Sequence, residues 1–110
     1  MKAAKWFALL FLAVTVINYP NPFSPKGGEI TTFEGTSSTS TESMLYLYDM
    51  SARLLFSQVF PLPAGTASRI TWNGYGIDNQ LAGNGVYLYR VVELPGKNTV
   101  AKGKVWVINQ

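Results

Sequence analysis

Cysteine and histidine are both absent from this sequence of 110 residues. The absence of cysteine excludes disulfide bonds, thiolate metal sites and thiol nucleophiles. The absence of histidine removes the most common general base and the most common ligand of transition metals. Catalytic triads and zinc sites are therefore excluded, and we expect no catalytic residue, no cofactor-binding residue and no metal site.

Charged residues are also scarce, at 14% of the chain. Nine lysine and arginine residues oppose six acidic residues, but Lys2 and Lys5 lie at the extreme N-terminus. The seven basic residues that remain give a net charge of +1 after the N-terminal segment. Along the sequence they form no basic cluster of the kind that follows a phosphate backbone, so we expect no nucleic-acid partner.

The few carboxylates are placed poorly for acid–base chemistry. Asp49 and Asp78 fall in predicted turns, where aspartate usually accepts hydrogen bonds from its own backbone. A calcium site built from Asp78, Asn79 and Asn73 is an alternative, because loop oxygens suit Ca²⁺, but such sites usually carry more carboxylates. We therefore expect that the protein is not an enzyme.

The first seventeen residues resemble a secretory signal. Two lysines precede an uncharged, mostly apolar run at residues 6–17, WFALLFLAVTVI, which is the usual order of a signal peptide. As a helix, this run would span about 18 Å, less than the roughly 30 Å hydrocarbon core of a membrane. We predict a signal peptide or N-terminal hydrophobic segment at residues 1–17, a folded domain at residues 18–110, and membrane contact only through the first segment. The alternative is a buried first strand or helix of the domain.

The most distinct strand pattern lies at residues 86–92, VYLYRVV. β-Branched and aromatic residues dominate it, and it contains neither proline nor glycine. Because both sides are largely apolar, we expect a central strand that is covered on both faces. Its two sides hold Val86, Leu88 and Arg90 on one face, and Tyr87, Tyr89 and Val91 on the other.

Turn signals separate the other predicted strands, and no segment has the pattern of an amphipathic helix. The polar stretch at residues 35–43, GTSSTSTES, is predicted to be a solvated loop, and Trp72 is the expected core anchor. The sequence therefore predicts an all-β, immunoglobulin-like β-sandwich of about seven antiparallel strands, preceded by the hydrophobic segment. The other strands are expected at residues 29–34, 44–48, 54–60, 67–72 and 99–108.

One predicted hairpin, residues 44–60, carries apolar side chains on both faces. We expect Leu45, Leu47, Leu55 and Val59 to face the core. The opposite face is more apolar than a solvated sheet requires, which indicates that the proline-rich segment at residues 19–23 or a partner protein covers it. The predicted partner-facing residues are Met44, Tyr46, Tyr48, Leu54 and Phe56.

Six short motifs occur in a distinctive order after residue 18. They are YPNPF at 19–23, LYLYD at 45–49 with Arg53 after it, PAGT at 63–66, TWNG at 71–74, GVYLYR at 85–90 and KVWVI at 104–108. This order resembles the FlgD-type immunoglobulin-like domain, named for the flagellar hook-capping protein, and the related C-terminal sorting domain of type IX secretion cargo. In that pattern a glycine precedes the arginine, whereas this chain has Ala52, for which a left-handed backbone would carry strain.

The resemblance implies a β-sandwich without catalytic activity. In type IX cargo such a domain is the address that the export machinery reads, and in the hook cap it is part of a scaffold. We therefore expect a secreted, surface or periplasmic bacterial module that docks on a protein of the cell envelope or secretion machinery. A type IX sorting or anchoring domain and a carbohydrate-binding accessory domain are the alternatives, and the oligomeric state is open.

Overall fold

The computed structural model describes residues 13–110, and these residues form seven strands and no helix. The prediction of an all-β fold with seven antiparallel strands is confirmed. No helix in this part of the chain is long and apolar enough to cross a membrane. The strands are β1 (Val14–Tyr19), β2 (Thr31–Ser37), β3 (Glu42–Tyr48), β4 (Leu54–Val59), β5 (Ser68–Trp72), β6 (Gly85–Leu94) and β7 (Thr99–Val107).

The strands are arranged in two sheets. One sheet has three strands in the order β1-β2-β5, and the other has four strands in the order β4-β3-β6-β7. Every neighbouring pair is antiparallel. Because the chain passes from one sheet to the other after β2, β4 and β5, the two sheets form the layers of one sandwich around a shared core.

The core lies between the sheets and follows from the alternation of apolar residues. In β2 and β3, buried residues alternate with residues that are more exposed, as the two-residue period of a strand requires. Trp72 is fully buried, as predicted, and its ring contacts those of Phe23, Phe56 and Tyr87 at centroid distances of 5.6, 6.1 and 6.0 Å. The other fully buried apolar side chains include Phe33, Leu45, Leu47, Phe60, Leu62, Val91, Val105 and Val107.

Tyr87 fixes the turn that leads into β6. Its hydroxyl donates a hydrogen bond of 2.7 Å to the carbonyl oxygen of Gly83. A tyrosine near the start of a strand that bonds the backbone a few residues upstream is typical of immunoglobulin-like sandwiches. Burial raises the pKa of Tyr87, so its hydroxyl stays a neutral donor.

The first strand begins before the predicted domain boundary at Asn18. β1 starts at Val14 and pairs with β2 along its whole length, so residues 14–17 belong to the sandwich. Val14 and Val16 pack against the core. Residues 14–17 continue the apolar run of the predicted signal segment, so composition alone does not separate the end of that segment from the start of β1. The predicted boundary at Asn18 is therefore too late. Residues 1–12 of the predicted signal lie outside the described residues, and its cleavage stays a prediction.

The polar stretch at residues 35–43 is not a single loop. β2 continues through Ser37, and β3 begins at Glu42, so only residues 38–41 connect them. Ser37 and Ser43 are buried, and their hydroxyls donate to the carbonyl oxygens of Thr39 and Phe60. Backbone acceptors thus allow these polar side chains to be buried inside strands, which composition alone does not reveal.

A bulge in the β3–β4 hairpin changes which side chains face the core. Tyr48 pairs with Leu54 while Leu47 pairs with Phe56, so Leu55 is an extra residue on β4. Leu55 is therefore buried, and the following Phe56 also packs against the core instead of facing outward as predicted. The expectation that Val59 faces the core is also wrong, because Val59 pairs with Met44 and is exposed.

The central strand β6 is buried on its core side, whereas on its other side Val92 is the buried residue. Tyr87, Tyr89 and Val91 are buried between the sheets. On the other face Leu88 is 37% exposed and Arg90 is exposed. β6 does lie between two neighbours, as predicted, but the expectation that both of its faces are covered is wrong.

Candidate docking surface

The side of the four-stranded sheet that faces away from the core is named here the outer face. Four of the five residues predicted to meet a partner lie on it and are partly buried: Met44, Tyr46 and Tyr48 on β3 and Leu54 on β4. Phe56 does not belong to it, because the bulge turns its ring toward Trp72. The structure adds residues from β6 and β7 that the sequence analysis did not place on this surface: Leu88, Arg90, Lys102, Lys104 and Trp106.

Strand pairing sets these side chains in two rows across the sheet. Tyr46, Arg90 and Lys102 form one row. Tyr48, Leu88 and Lys104 form the next row. Neighbouring rows are two residues apart along each strand, a separation of roughly 7 Å. The rings of Tyr46 and Tyr48 are stacked across the rows, with centroids 6.4 Å apart and planes inclined by 30°.

A shallow depression of about 650 Å³ is lined by residues of both rows, with Lys104 from the second row and Arg90 and Lys102 from the first. Tyr48 and Leu88 contribute to its walls, and the turn after β3 adds Met50 and Ala52 to its rim. Its volume falls within the range of about 300–1,000 Å³ that small-ligand and side-chain pockets occupy. The outer face therefore combines an apolar recess with neighbouring cationic side chains.

The cations of the outer face have no charge partner within the described part of the chain. The ion pairs found among residues 13–110 join Arg53 to Asp49 and Asp78, and Arg69 to Glu34. None of these pairs includes a cation of the outer face. Three positive charges on adjacent positions give this surface a positive potential, because no ion pair within residues 13–110 neutralises them. The three cations are Arg90, Lys102 and Lys104.

The acidic residue nearest to the depression is already engaged. Asp49 lines the depression, but its Oδ1 accepts hydrogen bonds from the backbone N–H groups of Ser51 and Arg53, each at 2.9 Å. Its Oδ2 accepts a bond from the Arg53 side chain at 3.1 Å. The backbone bond from Arg53, followed by that from Ser51, lowers the pKa of Asp49, so it stays ionised and bound to its own turn.

The same turn contains a strained residue. Ala52 has φ 65°, the left-handed conformation that the sequence analysis considered for this position. Its N–H donates to the carbonyl oxygen of Asp49 at 3.0 Å, which closes the turn. An alanine in this region costs energy that a glycine would not. The hydrogen bonds between Asp49 and Arg53 thus stabilise the rim of the depression although the backbone of Ala52 is strained.

The proline-rich segment at residues 19–23 does not cover the outer face. Phe23 is buried against Trp72, and its N–H donates to the carbonyl oxygen of Trp106 at 3.0 Å. Tyr19 is exposed and donates to Glu34 on the other sheet. The segment therefore runs beside the end of β7, and within residues 13–110 the outer face is left uncovered.

The residues considered for calcium serve their own turns. Asn73 Oδ1 accepts from the N–H of Tyr75 at 3.0 Å, and Asp78 Oδ1 accepts from the N–H of Gln80 at 3.0 Å. Asp78 Oδ2 also lies 3.6 Å from the guanidinium of Arg53. No group of three or more acidic residues suited to hold a metal ion occurs between residues 13 and 110.

The additional residues of the outer face carry a signal in the sequence. Alternation within β6 already puts Leu88 and Arg90 on one side, opposite the buried tyrosines. The hairpin turn at residues 95–98 then sets the register that aligns Lys102 and Lys104 with them. The expectation that an apolar strand is covered on both faces does not allow for this exposed side of β6.

Comparison with solved structures finds similar domains in much longer proteins. Over 88% of its length the chain is similar to dimeric latent PorU from Porphyromonas gingivalis, with 27% identity and a TM-score of 0.73, and it covers 9% of that chain. It is also similar to PorZ, an essential surface component of the type IX secretion system of the same bacterium. That match has 25% identity and a TM-score of 0.59 over 86% of this chain and 11% of PorZ.

A third solved structure shares the fold alone. The alkylpurine DNA glycosylase AlkC of Pseudomonas fluorescens, bound to DNA with an abasic-site analogue, has 9% identity and a TM-score of 0.56 over 87% of this chain and 30% of its own. No family model matches the chain, and no curated protein matches it. The FlgD-type part of the resemblance stays a prediction. The comparisons support a β-domain related to domains of PorU and PorZ.

Proposed function

We propose that this protein is a secreted, non-catalytic docking module of the bacterial cell envelope that binds a protein of the type IX secretion machinery through its outer face. The observation that carries this proposal is the uncovered set of aromatic, apolar and cationic side chains on one sheet. The similarity to parts of PorU and PorZ supports a place in the envelope. The proposed role is contact between proteins, with no chemical step.

The composition of the outer face is that of a binding surface. Trp106 is 47% exposed and Leu88 is 37% exposed. Leu88 pairs with Tyr48, and Trp106 lies one row further along the sheet on β7, two residues after Lys104. Contiguous apolar patches with a polar surround usually mark interaction sites. Tryptophan, tyrosine and arginine are also the residues that supply most of the binding energy at protein interfaces. These properties favour a protein partner.

The positions of three of the six carboxylates support a role without catalysis. Asp49 and Asp78 both contact Arg53. Glu34 accepts hydrogen bonds from Tyr19 at 2.7 Å and Arg69 at 2.8 Å. A general acid or base needs a free proton-transfer atom in a cleft, whereas these groups are bound to neighbouring side chains and turns.

The proposal is tested by binding of the full chain to purified PorU and PorZ with a matched pair of variants. Leu88→Gln and Ile17→Gln each remove one exposed apolar side chain, the first from the outer face and the second from the opposite side of the sandwich. We expect Leu88→Gln to weaken binding about tenfold, as for an interface anchor, and Ile17→Gln to leave it within twofold. Equal effects of the two variants, or no binding by the unaltered chain, would count against the proposal.

A type IX sorting or anchoring domain is the second candidate, and the likeness to PorZ favours it. Residues 13–110 would be joined to the C-terminus of a secreted reporter in Porphyromonas gingivalis, so that β1 is kept intact. Export of the reporter to the cell surface would support sorting. Retention of the reporter in the periplasm would reject it and leave docking as the function.

A further inference from the structure

We propose that the depression on the outer face binds an extended acidic segment of a partner protein, a proposal that rests on the docking function above. An apolar side chain of the segment would lie against Leu88 and Tyr48. Its neighbouring carboxylates would pair with Arg90, Lys102 and Lys104.

The spacing of the cations fits an extended chain. Lys102 and Lys104 are two residues apart on β7 and point to the same side, so their backbone positions differ by roughly 7 Å. Alternate side chains of an extended peptide repeat at the same distance. Arg90 is the direct partner of Lys102 in the sheet, so one carboxylate above that row meets two cations.

The apolar part of the depression favours a peptide over a uniform polyanion. Leu88 pairs with Lys104, so the apolar position and the next cationic row are also two residues apart. A segment with an apolar residue at one position and an acidic residue two positions away satisfies both rows. A nucleic-acid backbone or an acidic polysaccharide offers charge at every unit but no aliphatic side chain for the recess.

A second copy of the chain does not fit this face. A twofold pairing of two outer faces would bring like charges together, since such an interface joins the same patch on both subunits. Asp49 and Asp78 bind Arg53, Glu34 binds Arg69, and Glu29 and Glu93 accept hydrogen bonds from Ser24 and Asn98. Glu42 is the acidic residue that shares the outer side of β3, and it offers one charge against three cations. The complementary negative charge is therefore expected on a different protein.

The experiment is an NMR titration of the isotopically labelled full chain with short synthetic peptides. The main probe has a central leucine, an aspartate two residues to either side, serine elsewhere and blocked ends. One control peptide replaces the aspartates with lysine, and another replaces the leucine with serine. We expect saturable shifts of the amide signals of Leu88, Arg90 and residues 102–104 with the main probe, and binding at least about tenfold weaker with either control.

Charge reversal provides the second arm. In the double variant K102E/K104E we expect the preference to invert, so that the lysine peptide binds better than the aspartate peptide. The matched control K26E/K97E makes the same change in net charge at exposed turn positions outside the depression, and it should keep the affinity for the aspartate peptide within twofold. Oligothymidylate and polygalacturonate are titrated in parallel as the competing polyanions.

Several results would overturn the inference. They are equal binding of the aspartate and lysine peptides, no saturable shift on the outer face, unchanged preference in K102E/K104E, or tighter binding of either polyanion than of the aspartate peptide. If PorU or PorZ still binds and Leu88→Gln still weakens that binding, the docking function survives and only the acidic character of the partner is wrong. If neither protein binds and the peptide does not bind, both proposals fail.

Discussion

The two outward surfaces of the sandwich differ in how their polar and charged groups are used. On the three-stranded sheet, Glu34 accepts hydrogen bonds from Tyr19 at 2.7 Å and Arg69 at 2.8 Å, and threonines occupy much of the remainder. On the four-stranded sheet, Arg90 and its neighbouring lysines lie beside aromatic rings and have no ion pair within residues 13–110. The first surface satisfies its own charges, and the second leaves them available.

This difference separates the residues that stabilise the fold from those that can bind. A paired charge on a strand contributes to its own sheet and attracts other molecules weakly, because its field is largely neutralised. An unpaired cation beside an exposed apolar side chain contributes little to folding but attracts an acidic partner. Both sheets have the same buried core between them, so the difference arises from the side chains that alternate outward.

The largest expected effect on stability comes from removing a side chain of the core that lies between the two sheets. Trp72→Ala deletes a buried ring that contacts Phe23, Phe56 and Tyr87, and we expect a loss of about 4 kcal/mol in the free energy of unfolding. Trp106→Ala is the matched control, because this tryptophan is 47% exposed on the outer face. It should cost about 1 kcal/mol or less. Urea unfolding followed by circular dichroism measures both, and similar losses would show that the outer face is part of the structural core.

A smaller effect concerns the rim of the depression. Ala52→Gly should raise the free energy of unfolding by about 0.5–1 kcal/mol, because φ 65° strains alanine and not glycine. The change removes only a methyl group, so peptide binding should stay within about twofold. Thermal unfolding together with the NMR titration provides the readouts. A loss of stability on this substitution would contradict the strain assigned to the turn.

The smallest expected effect is a pH dependence of the free energy of unfolding, to which Glu34 of the three-stranded sheet contributes. Hydrogen bonds from Tyr19 and then Arg69 lower the pKa of Glu34. A lowered folded-state pKa gives stability that is present above the unfolded value, about 4.3, and is lost as the pH falls through the folded value.

Urea midpoints measured between pH 3 and pH 7 test this assignment. The unaltered chain should lose stability on acidification, and Glu34→Gln should lose less. Asp49, whose pKa is also lowered, supplies the dependence that remains in Glu34→Gln, and Asp49→Asn should reduce that part. An unchanged pH dependence in Glu34→Gln would mean that the paired charges of the three-stranded sheet do not contribute to stability.

Much of the fold could be predicted from alternation and turn chemistry. The period of the apolar residues and the turn residues between them predict the β3–β4 and β6–β7 hairpin turns. They also predict the central position of β6 and the burial of Trp72. Alternation fails where an extra residue enters a strand, and this is why Leu55 and Phe56 both reach the core. Nothing in the local composition marks the position of that bulge.

The candidate surface was harder to predict because it is assembled from different hairpins. Met44, Tyr46, Tyr48 and Leu54 could be grouped from one hairpin alone. Their contact with Leu88 and the cations depends on the pairing of β3 with β6, which joins residues about forty positions apart in the chain. Serine burial in β2 and β3 similarly depends on backbone acceptors that only the folded chain provides.

Hydrogen–deuterium exchange of the full chain, with and without purified PorZ, tests directly whether the outer face is the docking surface. Docking through the outer face predicts slower amide exchange on binding in residues 44–48, 86–90 and 102–106, and unchanged exchange in β1 and β5. Protection confined to β1 and β5 would instead make the three-stranded sheet the docking surface.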